Sequence, residues 1–293
     1  MPSSRHPLLG ALLCLVVAFS FATNTALSSV AYAEGANALS VLTYRTALAA
    51  LALFLVLRAV RVPVTLPPAK RKAALGLGVL MGVYSYGLLG AVEHMPVALA
   101  VLTFYLFPLF VGLVSWSMGW ERMTPRLAGA LVAAFVGLML ALDVGGGSLS
   151  VAGVALALMG ALIITALLLL NNRLVGGGQD SRPVSLHMLA TATLIYLAVD
   201  VAVGSFALPE TPKGWAAFGA VGVFYTFSII GIFVAVSWIG PVRSSLFMNF
   251  EPVSSVFWGT VLLGQPMKPT QLLGAALVVA AIVATAWKKA GGT

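Results

Sequence analysis

Along the chain, apolar residues come in long runs separated by short stretches of Gly, Pro and charge. These runs predict helices near 8–32, 36–58, 73–93, 96–118, 127–143, 151–172, 184–204, 214–238, 242–263 and 270–287. None of them alternates apolar and polar residues as a membrane β-strand of ~10 residues would, so the pattern favours helices over a barrel. A bilayer core about 30 Å thick takes ~20 apolar residues per helix. Ten such helices fill 293 residues and leave almost nothing for a soluble domain. The expected fold is therefore all-α integral membrane, with ten transmembrane helices.

Composition agrees: 60% of residues are hydrophobic and 8% charged, against ~25% charged in soluble domains. The net charge of +8 would point to nucleic acid in a soluble chain, but here its distribution reports topology, and no nucleic-acid partner is expected. With the N-terminus cytoplasmic, 13 of the 16 Lys and Arg fall on the cytoplasmic side: Arg5, Arg58, Arg61, Lys70, Arg71, Lys72, Arg122, Arg126, Arg173, Arg182, Arg243, Lys288 and Lys289. Lys213 and Lys268 fall opposite, where Glu34, Glu93, Asp143 and Glu210 also lie, and Arg45 stays inside a helix. This bias predicts a multi-pass protein of the bacterial inner (cytoplasmic) membrane with both termini cytoplasmic. Arg5, the apolar run after it and Ala31-Tyr32-Ala33 also resemble a signal peptide, but cleavage there would remove a segment that the internal repeat needs. The single cysteine, Cys14, allows no internal disulfide and no cysteine-based metal site.

The two halves are alike. Residues 101–137 align with 245–284, matching Pro108 to Pro252 and Pro125 to Pro269 at a spacing of 144, while Pro96 and Pro241 are 145 apart. Repeats are expected over 1–147 and 148–293. Each would hold five helices, an odd number, so the second must enter the membrane in the opposite sense. Inverted repeats of this kind are common in secondary transporters, whose solute sites lie near the midplane between halves.

Over essentially its whole length the chain resembles the EamA-type transporters of the drug/metabolite transporter superfamily. The resemblance is carried by Arg45, by GWERMTP (119–125) with the Gly-rich run after it, by Glu251-Pro252, and by the segment continuing through GQPMKPTQLLGA (264–275). The family's Gly-Glu loop pair is matched by Glu121 after the fourth helix, whereas the corresponding later position reads Gly264-Gln265. The resemblance implies export or exchange of small metabolites, often amino acids, as in its YddG-like exporters.

Glu251 is the most informative residue. Eight residues into the predicted ninth helix it would sit roughly 12 Å deep, where an ionised carboxylate costs at least ~2 kcal/mol unless it meets a cation, water or a donor. Phe247, Met248, Ser254, Ser255 and Trp258 share its face, and the first repeat has Phe107 in its place, with Thr103, Phe104 and Phe110 alongside. Glu251 either binds a cationic group of the solute or carries a coupling proton; structurally, it would instead bond to helix ends freed by Pro252 or pair with Arg45. Arg45 either binds a solute carboxylate or ties helices together through carbonyls. Asn24, with Phe21 and Ser28 on its face, Tyr84 and Tyr86, and Tyr225 with Ser228 would complete a cavity or bond between helices. His187 fits an interfacial position. Gly78 and Gly82 form a small-xxx-small pair for close helix approach, and the Gly-rich stretches 145–148 and 176–179 read as flexible loops.

No phosphate-binding loop, HExxH or GxSxG is present, so neither an enzyme nor a cofactor is expected, and transport must run on the solute gradient or on proton exchange. The expected function is export of small organic metabolites by alternating access, with neutral or aromatic amino acids as the solutes that the aromatic face favours. The alternatives are a broad drug or toxic-metabolite exporter and a non-transporting membrane scaffold or sensor. The expected partners are a small-molecule solute and the lipid bilayer, with protons as a candidate coupling ion.

Overall fold

A computed structural model describes residues 7–143, 150–176, 180–263 and 267–286. The loop stretches 145–148 and 177–179, the Gly264-Gln265 pair, Arg5, Lys288 and Lys289 lie outside them. Twelve helices occur among the described residues: α1 (Pro7–Ala33), α2 (Ala38–Ala59), α3 (Pro68–His94), α4 (Val97–Phe104), α5 (Phe107–Ser117), α6 (Pro125–Ala141), α7 (Val151–Val175), α8 (Arg182–Val203), α9 (Pro212–Ile239), α10 (Pro241–Met248), α11 (Phe250–Leu263) and α12 (Pro269–Ala286). Seven helical stretches are long and apolar enough to cross a membrane, with α4 and α5 counted as one stretch, and α6 and α12 are shorter apolar helices. The chain is a multi-pass membrane protein.

The fourth and ninth predicted helices are each two helices. Proline has no N–H for the carbonyl four residues earlier, and its ring clashes with that carbonyl. Pro108 and Pro252 therefore stop the preceding helices at Phe104 and Met248, each four residues upstream. The breaks fall at Tyr105-Leu106 and at Asn249, so they repeat at the same spacing as the prolines. Asn249 serves its own break: its side-chain amide donates to the carbonyls of Ser245 (3.4 Å) and Leu246 (2.9 Å) in the last turn of α10. Helix α3 starts five residues earlier than expected because Pro68 opens it and carries the basic Lys70-Arg71-Lys72 stretch into its first turns. Thr124 and Thr211 cap α6 and α9 ahead of Pro125 and Pro212, accepting from Leu127 N–H (3.2 Å) and Gly214 N–H (3.0 Å).

Helices of one half pack on helices of the other. α1 lies on α9 as α7 lies on α3; α2 packs on α8, and α6 on α12. Exchanging the halves reproduces this set of pairs. Gly78 does allow close approach, because a Cβ there would come within 2.6 Å of the Met188 carbonyl on α8, and Gly82 meets Ile195 of the same helix. The tightest approach joins α6 to α12, where a Cβ on Gly274 would lie 2.3 Å from the Ala141 nitrogen and 2.5 Å from the Gly137 carbonyl.

Polar contacts tie the halves together at one end of the bundle. Glu34, just past α1, accepts from the Thr211 hydroxyl (2.6 Å) and pairs with Lys213 (3.1 Å). Its carbonyl also accepts from Glu210 N–H (2.9 Å). Asp143 pairs with Lys268. The fully buried Asp200 of α8 accepts from the Ser40 hydroxyl (3.1 Å) at the start of α2 and from the Ser205 hydroxyl (2.8 Å). Asn37 donates to the Ser205 carbonyl. Residues that charge counting assigned to one face thus meet as pairs.

Two outcomes are expected from this packing. The Thr211 hydroxyl, and then the Lys213 ammonium, hold the Glu34 carboxyl below its ordinary range, so its stabilisation is present above the unfolded value of about 4.3 and is lost as pH falls through the folded value. Glu34→Gln should therefore melt below the wild type at pH 7 in detergent, and the gap should narrow as the pH is lowered below about 4.3. Gly274→Ala, which drives a methyl into backbone, should cost about 1–3 kcal/mol, seen as a lower melting temperature at every pH.

Candidate functional site

The break before Pro252 places Glu251 in the first turn of α11 instead of deep in a continuous helix. Unpaired N–H groups and the positive end of the helix macrodipole favour a carboxylate there. Tyr105 lies at the break after α4, and its phenol and the Glu251 carboxyl act on each other electrostatically. Tyr105 was missed in the sequence because its partner lies on a distant helix. The one signal was its register: 105 and 249 are 144 apart, one at each break.

Arg45 of α2 supplies the opposite charge. Its Nη1 donates to Asn24 Oδ1 (3.2 Å), and its guanidinium carbon lies 4.4 Å from the centre of the Tyr225 ring. Asn24 is oriented by a bond from its own amide to the Val221 carbonyl (2.9 Å). Phe21 meets the Tyr225 ring edge-on at 6.1 Å. The guanidinium thus has a neutral amide oxygen and a π face but no carboxylate, and its Nε has no partner. The Tyr225 hydroxyl, also buried, has none either. Arg45 and Glu251 feel each other electrostatically, yet no ion pair joins them among the described residues. Direct pairing does not account for either charge.

Aromatic side chains complete the surroundings. Tyr84 stacks on Phe104 at 6.3 Å, and Phe104, Tyr105 and Phe107 pack together at 5.4–5.7 Å. Arg45, Tyr84 and Glu251 each stay partly accessible although protein crowds them on all sides. Each is reached by solvent over part of its surface while the fold encloses the rest.

The other expected residues are distributed differently. Ser228, fully buried one turn from Tyr225, donates to the Val17 carbonyl (3.4 Å). Trp258 packs on Phe19 (5.6 Å) and Phe257 (5.5 Å), two rings exposed on the outer surface, and its indole N–H has no partner. Ser254 and Ser255 spend their hydroxyls on the Phe250 and Glu251 carbonyls of their own helix (2.8 and 3.1 Å). Tyr86 is 68% exposed on the outside of the bundle and so does not belong to the cavity with Tyr84. The phenol that bonds in the interior is Tyr196, which donates to the Met81 carbonyl (3.0 Å) and lies 2.7 Å from the Ser85 hydroxyl. His187 lies against the Pro183 carbonyl of its own helix (2.9 Å).

The profile of the EamA-like transporter family matches the chain twice, over residues 8–142 and 151–287. A solved structure titled only "Crystal structure of protein" is similar at a TM-score of 0.76 and 18% identity, over 97% of this chain and 98% of that one. That likeness concerns the fold. No curated protein matches.

Because the Tyr225 hydroxyl has no partner, Tyr225→Phe removes a desolvated group without breaking a bond. The variant should melt at or slightly above the wild-type temperature in the absence of solute. A drop of several degrees would show that the hydroxyl bonds within the protein.

Proposed function

From the premise that the chain belongs to the EamA-like transporter family, and so is a membrane transporter, we propose that it exports small zwitterionic metabolites, neutral or aromatic amino acids, from the bacterial cytoplasm by alternating access. In this reading ten spans form one membrane domain of two inverted repeats, 1–147 and 148–293, with both termini cytoplasmic. The concentration of Lys and Arg at one end of the bundle supports that orientation.

One observation supports the reading: two opposite charges, each partly accessible, act on each other without forming an ion pair, and polar atoms beside Arg45 are unpaired; in this reading they line one crevice. A buried charge or hydroxyl left alone is costly, so each gains when a solute supplies the missing partner. The solute carboxylate would take the Arg45 guanidinium and the Tyr225 hydroxyl, with Asn24 holding the guanidinium in place. Its ammonium would take Glu251, which Tyr105 orients. Tyr84 and Phe104 would receive an apolar or aromatic side chain, and Ser228 would support Tyr225 from below. Trp258, on the outer seam of the same helix as Glu251, would act on α11 as it moves. When no solute is bound, a proton on Glu251 would relieve the same unpaired charge, which couples transport to pH.

Proteoliposomes loaded with a panel of labelled amino acids, with and without a pH gradient, test the proposal. Counterflow of neutral or aromatic members is expected. Glu251→Gln should lose most of this activity or its pH dependence, and Arg45→Lys, which keeps charge but loses the planar fork, should raise the half-saturating concentration at least tenfold. Equal rates for wild type and both folded variants from pH 5 to 8 would defeat the assignment.

A further inference from the structure

At the end of the bundle opposite the Glu34, Asp143 and Asp200 contacts, α5, α7 and α10 enclose a cavity of about 130 Å³. The turn after α5 builds one wall. Gly119, at φ +66°, lets the chain reverse, and the N–H groups of Trp120 and Glu121 both donate to the Ser115 carbonyl (2.8 and 3.1 Å). This brings Trp120 and Glu121 back beside Ser115, a lining residue that is 1% exposed and whose hydroxyl, buried behind the wall, has no partner. The last turn of α7 contributes Asn172 and Arg173, and the Arg173 guanidinium lies 3.9 Å from the centre of the Trp120 ring. Arg243 of α10 acts on Glu121 electrostatically. No ion pair among the described residues includes Glu121.

We propose that this cavity is a second binding site for small zwitterions, a loading site on the basic face that is filled independently of the crevice at Arg45 and Glu251. The proposal rests on the reading of that crevice for the class of solute. Its own ground is the chemistry of the walls. A carboxylate entering here meets the Asn172 amide and the Arg173 guanidinium, which lies over Trp120, and a small turn of the Ser115 side chain would bring its unpartnered hydroxyl to the same place. An ammonium meets Glu121. A simple anion would be opposed by Glu121 and a simple cation by Arg173 and Arg243, so a solute carrying both charges is the one that all walls accept. Leu169 and Pro241 leave room only for a short apolar side chain. Burial pushes the Glu121 carboxyl above its ordinary range, against the pull of Arg243, as expected of a carboxylate that lacks a close counter-ion.

The two sites are physically separate. Pro241 opens α10 at the cavity, whereas Glu251 lies beyond the break at Asn249, in the first turn of α11. Between them Val242, Leu246 and Phe247 are buried in the core. Two solutes therefore fit one chain at once.

The test is equilibrium binding of tritiated L-alanine to the purified full chain, with stoichiometry as the readout. Two equivalents are expected for the wild type. Glu121→Gln and Ser115→Val should each abolish one equivalent, or weaken it at least tenfold, and keep the other, which also shows that the variant is folded. Glu251→Gln should give the converse loss. One wild-type equivalent that disappears in Glu251→Gln and is untouched by Glu121→Gln and Ser115→Val would overturn the second site and leave the crevice reading standing. One equivalent with the reverse sensitivity would uphold the second site and overturn the crevice. No binding at all would overturn both.

Discussion

Inside a bilayer a backbone carbonyl or N–H has no water to fall back on, and every break in a helix must be served by the protein itself or by a polar interior. Two breaks at membrane depth, forced by Pro108 and Pro252, are the constraint on which the rest of this structure turns. They end α4 and α10 early, start α5 and α11 afresh, and place helix termini where an unbroken helix would offer only side chains. The Asn249 amide on two α10 carbonyls is one answer to the resulting demand. The carboxylate of Glu251 in the first turn of α11 is another, since a helix N-terminus favours negative charge. A charged residue that is a liability in an intact helix becomes compatible with this position because the helix is interrupted.

Two acidic residues of this chain show how differently the same cost is met. Asp200 is fully buried, but both its oxygens accept from serine hydroxyls, and those serines link α2 to the end of α8. Its requirements are closed by the fold. Glu251 has one tyrosine, a distant guanidinium and partial access to the crevice. Arg45 is likewise half-served, with an amide oxygen and a ring face but an empty Nε. Satisfied polar groups rigidify, whereas unsatisfied ones hold free energy that a ligand can release. In the proposed reading, this contrast in partners, and not depth alone, separates the structural charge from the two assigned to the solute.

Much of this was readable in the chain. Apolar run length gave the membrane class, and the excess of Lys and Arg separated one end from the other before Glu34 and Lys213 were seen to meet. The matched prolines mark the repeat, but the runs around them read as continuous helices; whether a proline bends or severs a membrane helix depends on what neighbours can do for the freed carbonyl, and that is tertiary information. Glu251 and Arg45 stood out as charges inside apolar runs, but their lack of direct pairing depends on distances between helices that no local pattern encodes. Tyr105 and Tyr196 look like ordinary aromatic residues in apolar segments, and nothing local separates either from the outward-facing Tyr86. Gly274 announces a close approach, but not that Gly137 and Ala141 are its partners.

The likeness of the halves sharpens the meaning of their differences. Both need a break at the same register, because both carry the proline, yet the residues around it have diverged: Tyr105 against Asn249 at the breaks, and Phe107 against Glu251 just beyond them. In the first half the break is surrounded by rings, Phe104, Tyr105 and Phe107 packing on one another. In the second it carries the amide and the carboxylate. Two identical polar breaks would set two like charges against each other in a low-dielectric interior, and two aromatic ones would leave no charge to recognise a polar solute. An aromatic half facing a polar half avoids both outcomes, and the phenol of Tyr105 on Glu251 is the point at which they meet.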